Sequence, residues 1–191
     1  MTVEAKINLP AQTLESGDAA VREVLEKAKA QVGFIPNMYA NMVNSPGVLD
    51  TYLDGYERFR SDSTFTPVEQ EVVFLVISAS NGCGYCTAAH SMIADKMSKV
   101  PADVLAALRA RKPLADARLA ALVTFTQTMF DTRGRPSQAD LNSFHAAGFS
   151  DRQALEIVLA LAVKTLSNYA NHLFHTEVDE MFASYKLAPA A

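Results

Sequence analysis

The sequence predicts an all-α fold. Apolar residues recur at spacings of three and four along most of the 191 residues, no segment of four to eight residues alternates cleanly between turn signals, and cap residues fall at helix-length intervals. The first helix is expected over residues 18–32, with Val21, Val24, Leu25, Ala28 and Val32 on one face and Gly33 as its stop. Gly33-Phe34-Ile35-Pro36-Asn37 then reads as a turn. Short helices follow over 37–43 and 46–59, the second opened by Ser45-Pro46. Thr66-Pro67-Val68-Glu69 is the strongest start signal: an N-cap hydroxyl, a proline at the first helical position and a Glu to close a capping box. That helix should run over 67–80, Asn81-Gly82 should break it, and the next should begin near Cys83 and reach about Met97. Further helices fit 101–109, 115–130 and 138–146, and Ser150 with Gln153 opens a final helical region ending near Tyr185.

Composition narrows the function classes. Hydrophobic residues make up 49% and charged residues 20% of the chain, the balance of a folded globular protein. The length and the lack of a Gly/Ser linker point to one domain over 1–191, with 1–16 as an N-terminal extension. A net charge of −4 without a basic block argues against a nucleic-acid partner. The longest apolar runs, 72–77 and 157–163, fall far short of the roughly 18 residues a membrane span needs, so no membrane partner is expected. The first ten residues contain no apolar export segment, so the expected address is cytoplasmic. The two cysteines lie three residues apart and cannot form a disulfide framework, which leaves their chemistry to be explained.

Cys83, Cys86 and His90 stand at i, i+3 and i+7, within about 60° of one another on a helix. At a helix start, unpaired N–H groups and the helix dipole favour negative charge, so a thiolate is stabilised there. If Asn81-Gly82 reverses the chain into a hairpin, Glu71 lies about 15 Å back from the turn and His90 about 12 Å forward, nearly level. A carboxylate there would fix the His90 tautomer, and the pair could take a proton from Cys86 directly or through one water. The same set could instead hold zinc as Cys2HisGlu, although a single knuckle is unusual for a structural site. Two small buried cysteines in a helix are the bland alternative. A thioredoxin fold would need a βαβ pattern that is missing.

The arrangement Glu71-x11-Cys83-x2-Cys86-x3-His90 resembles the signature of the alkylhydroperoxidase D-like proteins of the carboxymuconolactone decarboxylase superfamily. Gly33-Phe34-Ile35-Pro36-Asn37, the run from Asn81 to Ser91 and Ala147-Gly148-Phe149-Ser150-Asp151 resemble its peroxidase-related branch, so the likeness spans about 33–180. The resemblance implies an all-helical protein assembling into homo-trimers or homo-hexamers, and a dithiol that reduces hydroperoxides without haem, flavin or other cofactor. By the same carry-over Cys86 attacks the peroxide, Cys83 resolves it and meets a dithiol, thioredoxin-type or lipoyl-type reductant, and Glu71 and His90 relay protons. Tyr85 stands where the best-characterised members carry a second histidine, which shortens the relay. The decarboxylase branch lacks the cysteine pair, which argues against lactone decarboxylation. The alternative function is a non-catalytic, redox-sensing or oligomeric binding protein that retains the dithiol.

Three further expectations concern the rest of the chain. A shift of 85 residues lays Glu71, Cys83, Cys86 and His90 on Glu156, Asn168, Asn171 and His175, which suggests a repeated helical hairpin whose second copy is structural. His172 and His175 are expected on a helix face or in the core rather than on a metal. Phe34, Met38, Tyr39 and Met42 are expected in the core or a subunit interface rather than around a substrate.

Overall fold

The structure is a computed structural model that describes residues 4–187. The first three residues of the expected extension and residues 188–191 of the expected domain lie outside the described residues. Nine α-helices and one 3-10 helix are present among the described residues, with no strand. They are α1 (Ala19–Val32), α2 (Asn37–Met42), α3 (Pro46–Asp62), α4 (Pro67–Ser80), α5 (Gly84–Lys96), α6 (Ala102–Arg109), α7 (Ala117–Asp131), α8 (Gln138–Ala146) and α9 (Asp151–Phe174). A short extended segment then leads to the 3-10 helix Glu180–Tyr185.

Helix α4 is the centre of the bundle. Its residues Glu69 to Ser78 are all buried, and it packs against α5, α7 and α9 at once, which explains a sequence apolar on nearly every face. Its start is the expected capping box: Thr66 Oγ1 accepts from the Glu69 N–H while the Glu69 carboxylate accepts from the Thr66 N–H. Its end is a Schellman motif, in which Cys83 N–H donates to Ser78 O at 2.9 Å and Gly82 N–H to Ala79 O at 3.1 Å. Gly82 stands at φ +69°, the left-handed conformation this ending requires. The motif turns the chain in three residues and leaves Cys83 as the N-cap of α5.

Helix α9 crosses the other side of the site. Gly55 of α3 allows the close approach, because a Cβ there would lie 2.8 Å from Val163 Cγ2. The expected hairpin repeat is not present. Leu166-Ser167 occupies the position of Asn81-Gly82 and contains no glycine, so α9 runs unbroken for 24 residues and ends at His175 with φ +50°. Glu156 faces the loop before α4, accepting from Thr64 N and Oγ1 and from Arg152 Nε, and so has no counterpart of the Glu71 role. The final helical region is likewise shorter than expected, since residues 176–179 are extended before the 3-10 helix.

The extended tail is pinned across α2 and α5. Asp179 accepts from the Asn37 N–H at 3.1 Å and from Tyr85 Oη at 2.5 Å, while Asn41 Nδ2 donates to Thr176 Oγ1 at 3.1 Å. The polar end of the Pro36-Asn37 turn therefore anchors the tail, which carries Phe182 and Met181 over the site.

Candidate active site

The structure brings all four sequence-identified residues together between α4, α5 and α9. Glu71 and His90 are level across the hairpin, with His90 Nδ1 at 2.9 Å from Glu71 Oε2 and both side chains buried. A second partner was not read from the sequence: Arg60 of α3 forms an ion pair with the other carboxylate oxygen, and Ser98 Oγ donates to it at 3.4 Å. Burial alone would raise the Glu71 pKa, but His90 and Arg60 outweigh it and hold the carboxyl below its ordinary value. An ionised carboxylate only accepts, so His90 Nδ1 carries the hydrogen and Nε2 keeps its lone pair. Burial, with a contribution from the Lys164 ammonium, pushes His90 down to about 4 despite Glu71. The imidazole is therefore neutral at pH 7.

Both cysteines are free thiols and both are buried, with Cys86 at the third position of α5. Cys83, the N-cap of α5, is as deeply buried as Cys86. The sulfurs meet α9. Asn171 Nδ2 lies 3.4 Å from Cys86 Sγ and 3.8 Å from Cys83 Sγ, and Cys86 Sγ is 3.9 Å from Ser167 Oγ. Asn171 thus belongs to the site and is not a structural residue of a second hairpin. Burial would raise the Cys86 pKa, yet the Cys83 thiol, the Lys164 ammonium and the Ser167 hydroxyl bring it well below the ordinary thiol range. Cys83 shifts the opposite way, pushed up by its hydrogen bond to Cys86 and by burial. One negative charge is shared by the pair and resides on Cys86.

The dithiol lies between two cavities. The larger, about 550 Å3, is lined by Cys86, His90 and Lys164, by Tyr39, Tyr52, Tyr56 and Tyr85, and by Phe34, Met38 and Phe182. Met38, Tyr39 and Met42 are core residues as expected, with Phe34 packed against them, and Phe34, Met38 and Tyr39 also border the larger cavity. The smaller, about 410 Å3, is lined by Cys83, Gly84, Asn171, His172 and His175. The described residues contain no group of three or more His, Cys, Asp or Glu side chains placed to hold a metal ion.

Lys164 is the residue that sequence reasoning missed most completely. It is fully buried, and its Nζ has no hydrogen-bond partner among the described residues. The Phe74 ring centroid lies 5.5 Å away. Such a cation–π contact returns about 1–2 kcal/mol, whereas burying an ammonium costs several, so this position is unfavourable for the fold alone. Its signal was a polar stripe on an otherwise apolar helix, Lys164, Ser167, Asn168 and Asn171 at i, i+3, i+4 and i+7. Tyr52, Tyr56 and Arg60 form a similar stripe at i, i+4 and i+8 of α3, with Tyr56 stacked on Phe74 at 5.5 Å.

Residues 46–127 match the sequence profile of the Carboxymuconolactone decarboxylase family. Over that segment the chain is similar to this family. The fold agrees: a crystal structure described as an alkylhydroperoxidase AhpD core, an uncharacterized peroxidase-related protein from Ralstonia eutropha JMP134, superposes with a TM-score of 0.76 at 23% identity, covering 91% of this chain and 93% of that one. An uncharacterized peroxidase-related protein from Silicibacter sp. TM1040 gives a TM-score of 0.73 at 21% identity, covering 95% of each chain. A cysteine-to-alanine variant of the debrominase Bmp8 in complex with 2,3,4-tribromopyrrole gives 0.72 at 16% identity, covering 94% and 97%. No curated protein matches the chain by sequence. The dithiol hairpin falls inside the matched segment, whereas Lys164, Ser167 and Asn171 lie beyond it.

Proposed function

We propose that the protein is a thiol-dependent peroxidase that reduces hydroperoxides with Cys86, in the manner of the alkylhydroperoxidase D-like proteins it resembles. The observation that carries this reading is a thiol whose proton affinity is held well below the ordinary range, lining a largely apolar cavity, with a second thiol three residues away and a neutral imidazole one turn on. His90 takes the Cys86 proton at Nε2, and the depressed proton affinity of the thiol makes so weak a base sufficient. The thiolate attacks the terminal peroxide oxygen, the O–O bond breaks, and the departing alkoxide takes the proton from His90. This leaves Cys86 as sulfenic acid. Cys83 then displaces water, its thiol hydrogen leaving with the hydroxide, to form the Cys83–Cys86 disulfide. A dithiol reductant restores both thiols, attacking Cys83 from the smaller cavity.

The assembly in this reading is a homo-trimer or homo-hexamer. Leu155, Val158, Tyr169 and Leu173 are 46–72% exposed along the outer face of α9, an apolar strip suited to a subunit contact. The same dithiol supplies the two electrons for a second reaction, in which an aryl bromide becomes the arene and bromide while the dithiol becomes disulfide. The aromatic lining of the larger cavity favours including that reaction, as does the fold shared with a debrominase.

The test is consumption of hydrogen peroxide and cumene hydroperoxide by pure protein with dithiothreitol, beside bromide release from 2,3,4-tribromopyrrole. Turnover of peroxide that is abolished in Cys86→Ser, with sulfenic acid trapped on Cys86 in Cys83→Ser, is the expected outcome. Bromide release without peroxide turnover moves the reading to dehalogenation. Reversible disulfide formation with neither turnover leaves a redox-sensing protein.

A further inference from the structure

The charges around the larger cavity do not balance within the protein. Arg60 and Glu71 neutralise each other as an ion pair, and His90 is neutral. The remaining charged side chain lining the cavity is Lys164, whose Nζ has no hydrogen-bond partner among the described residues. It stands on the same face of α9 as Ser167 and Asn171, the two residues that touch the Cys86 sulfur. A buried cation without a partner needs a negative charge delivered to it, and the chemistry proposed for Cys86 supplies one twice. The charge is on sulfur before the attack and on the leaving oxygen after it.

We propose that Lys164 is a catalytic residue of this site, its ammonium serving first as counter-ion to the Cys86 thiolate and then as hydrogen-bond donor to the departing oxygen. In the reaction Cys86-S⁻ + ROOH, the S–O bond forms, the O–O bond breaks, and the electron pair leaves as alkoxide. The ammonium stays charged throughout, because the proton that completes ROH is the one His90 Nε2 took from the Cys86 thiol when the thiolate formed. Lys164 therefore stabilises charge where it accumulates without entering the proton balance. The peroxide half of this inference rests on the proposed function, and the thiolate half does not.

The tests use Lys164→Met and Lys164→Gln in the full chain. The first is the pH profile of Cys86 alkylation by iodoacetamide in a Cys83→Ser background. Removing Lys164 should move the thiol titration upward and slow alkylation at pH 7 by about tenfold, corresponding to about one pKa unit. The groups near Cys86 that shape this profile are Tyr39, Tyr52, Tyr56 and Arg60 on α2 and α3, Glu71 on α4 and His90 on α5, and all remain in the variants. The second test is chemical denaturation. Met should raise the midpoint, because it fills the space and removes an unpaired buried charge, whereas a lysine retained for structure would lower it when lost. The third compares hydrogen peroxide and cumene hydroperoxide with peracetic acid, whose acetate leaving group needs little help. The variants should lose more than tenfold additional rate on the two poorer leaving groups.

An unshifted alkylation profile in a folded variant overturns the counter-ion role. Equal losses on all three oxidants overturn the leaving-group role. If the unmodified protein turns over no peroxide but the alkylation profile moves, the peroxidase reading fails while the counter-ion role stands.

Discussion

Replacing Arg60 by Met should destabilise the protein by about 3–5 kcal/mol, because it leaves the Glu71 carboxylate buried beside a neutral His90. The side chain of Glu71 is 0% exposed and that of Arg60 20%, so water cannot replace the guanidinium at the carboxylate. Arg60 also packs over Tyr56 and Phe74, its Cζ 4.9 Å from each ring centroid, and Met retains part of that contact. The carboxylate has one escape. It can draw a proton into the site, either onto itself or onto His90, and this places the expected loss near the lower end of the range.

The double variant Arg60→Met/Glu71→Gln removes both charges and should cost far less than the sum of the two single changes. Urea unfolding at pH 7.5 reads the cycle. With a slope of about 2 kcal/mol/M, the Arg60→Met midpoint should fall by about 1.5 M, and the double variant should recover most of it. Glu71→Gln, alone or together with Arg60→Met, should nevertheless lose peroxidase rate by roughly 10² to 10⁴, since a carboxamide does not orient His90 as a carboxylate does. Additive stabilities, or a single Arg60→Met loss below about 1 kcal/mol, would refute the claim that this ion pair is what permits a charged Glu71 in the core.

Three other outcomes follow from the same geometry. Asn171→Ala should slow Cys86 alkylation at neutral pH several-fold, because it removes the N–H that points at both sulfurs, and a structural role alone would leave that rate unchanged. Stability should fall as pH drops from about 6.5 toward 4, by about 3 kcal/mol at most from His90. Its pKa is pushed to about 4 on folding, so the unfolded chain binds the extra proton in that window and stability is complete above it; a His90→Asn protein measured by urea unfolding across the window should lose this slope. Gly55→Ala should lower the thermal midpoint despite the helix propensity it adds, since its Cβ would meet Val163 Cγ2 at 2.8 Å; a rise would show that α9 shifts freely against α3.

The hairpin half of the site was legible in the sequence because its information is local. Cap, turn and catalytic spacing lie within residues 66–90, and helical rise alone predicts that Glu71 and His90 are level. The Schellman ending at Gly82 makes this arithmetic hold. What α3 and α9 contribute was not legible, because no local rule says which helix covers the dithiol. Asn171 lies 85 residues from Cys86 and Lys164 lies 78 away. The match at an offset of 85 also drew attention to the wrong relationship. Coincident residue types were read as equivalent positions, whereas Asn171 meets Cys86 directly because an unbroken α9 lies across α5. A polar stripe on a buried helix face was the better signal, since each buried polar group must find a partner or a function.

The charge pattern also distinguishes this dithiol from a thiolate–imidazolium pair. In such a pair a carboxylate behind the histidine raises its pKa, and the imidazolium is the counter-ion of the thiolate. Here burial disfavours protonation of His90, Lys164 adds a repulsion, and Arg60 offsets part of the opposing pull of Glu71. The cation that lowers the Cys86 pKa must then come from elsewhere, and α9 supplies it. In the proposed reaction this division leaves His90 Nε2 unprotonated at the start of each cycle, free to take the thiol proton and return it to the leaving oxygen. On the buried face of α9, Lys164 Nζ and Asn171 Oδ1 have no hydrogen-bond partner among the described residues. A helix selected for stability alone would have apolar side chains at those positions. Their presence beside two sulfurs and a cavity locates the cost of the active site on α9, opposite the motif by which the sequence announces it.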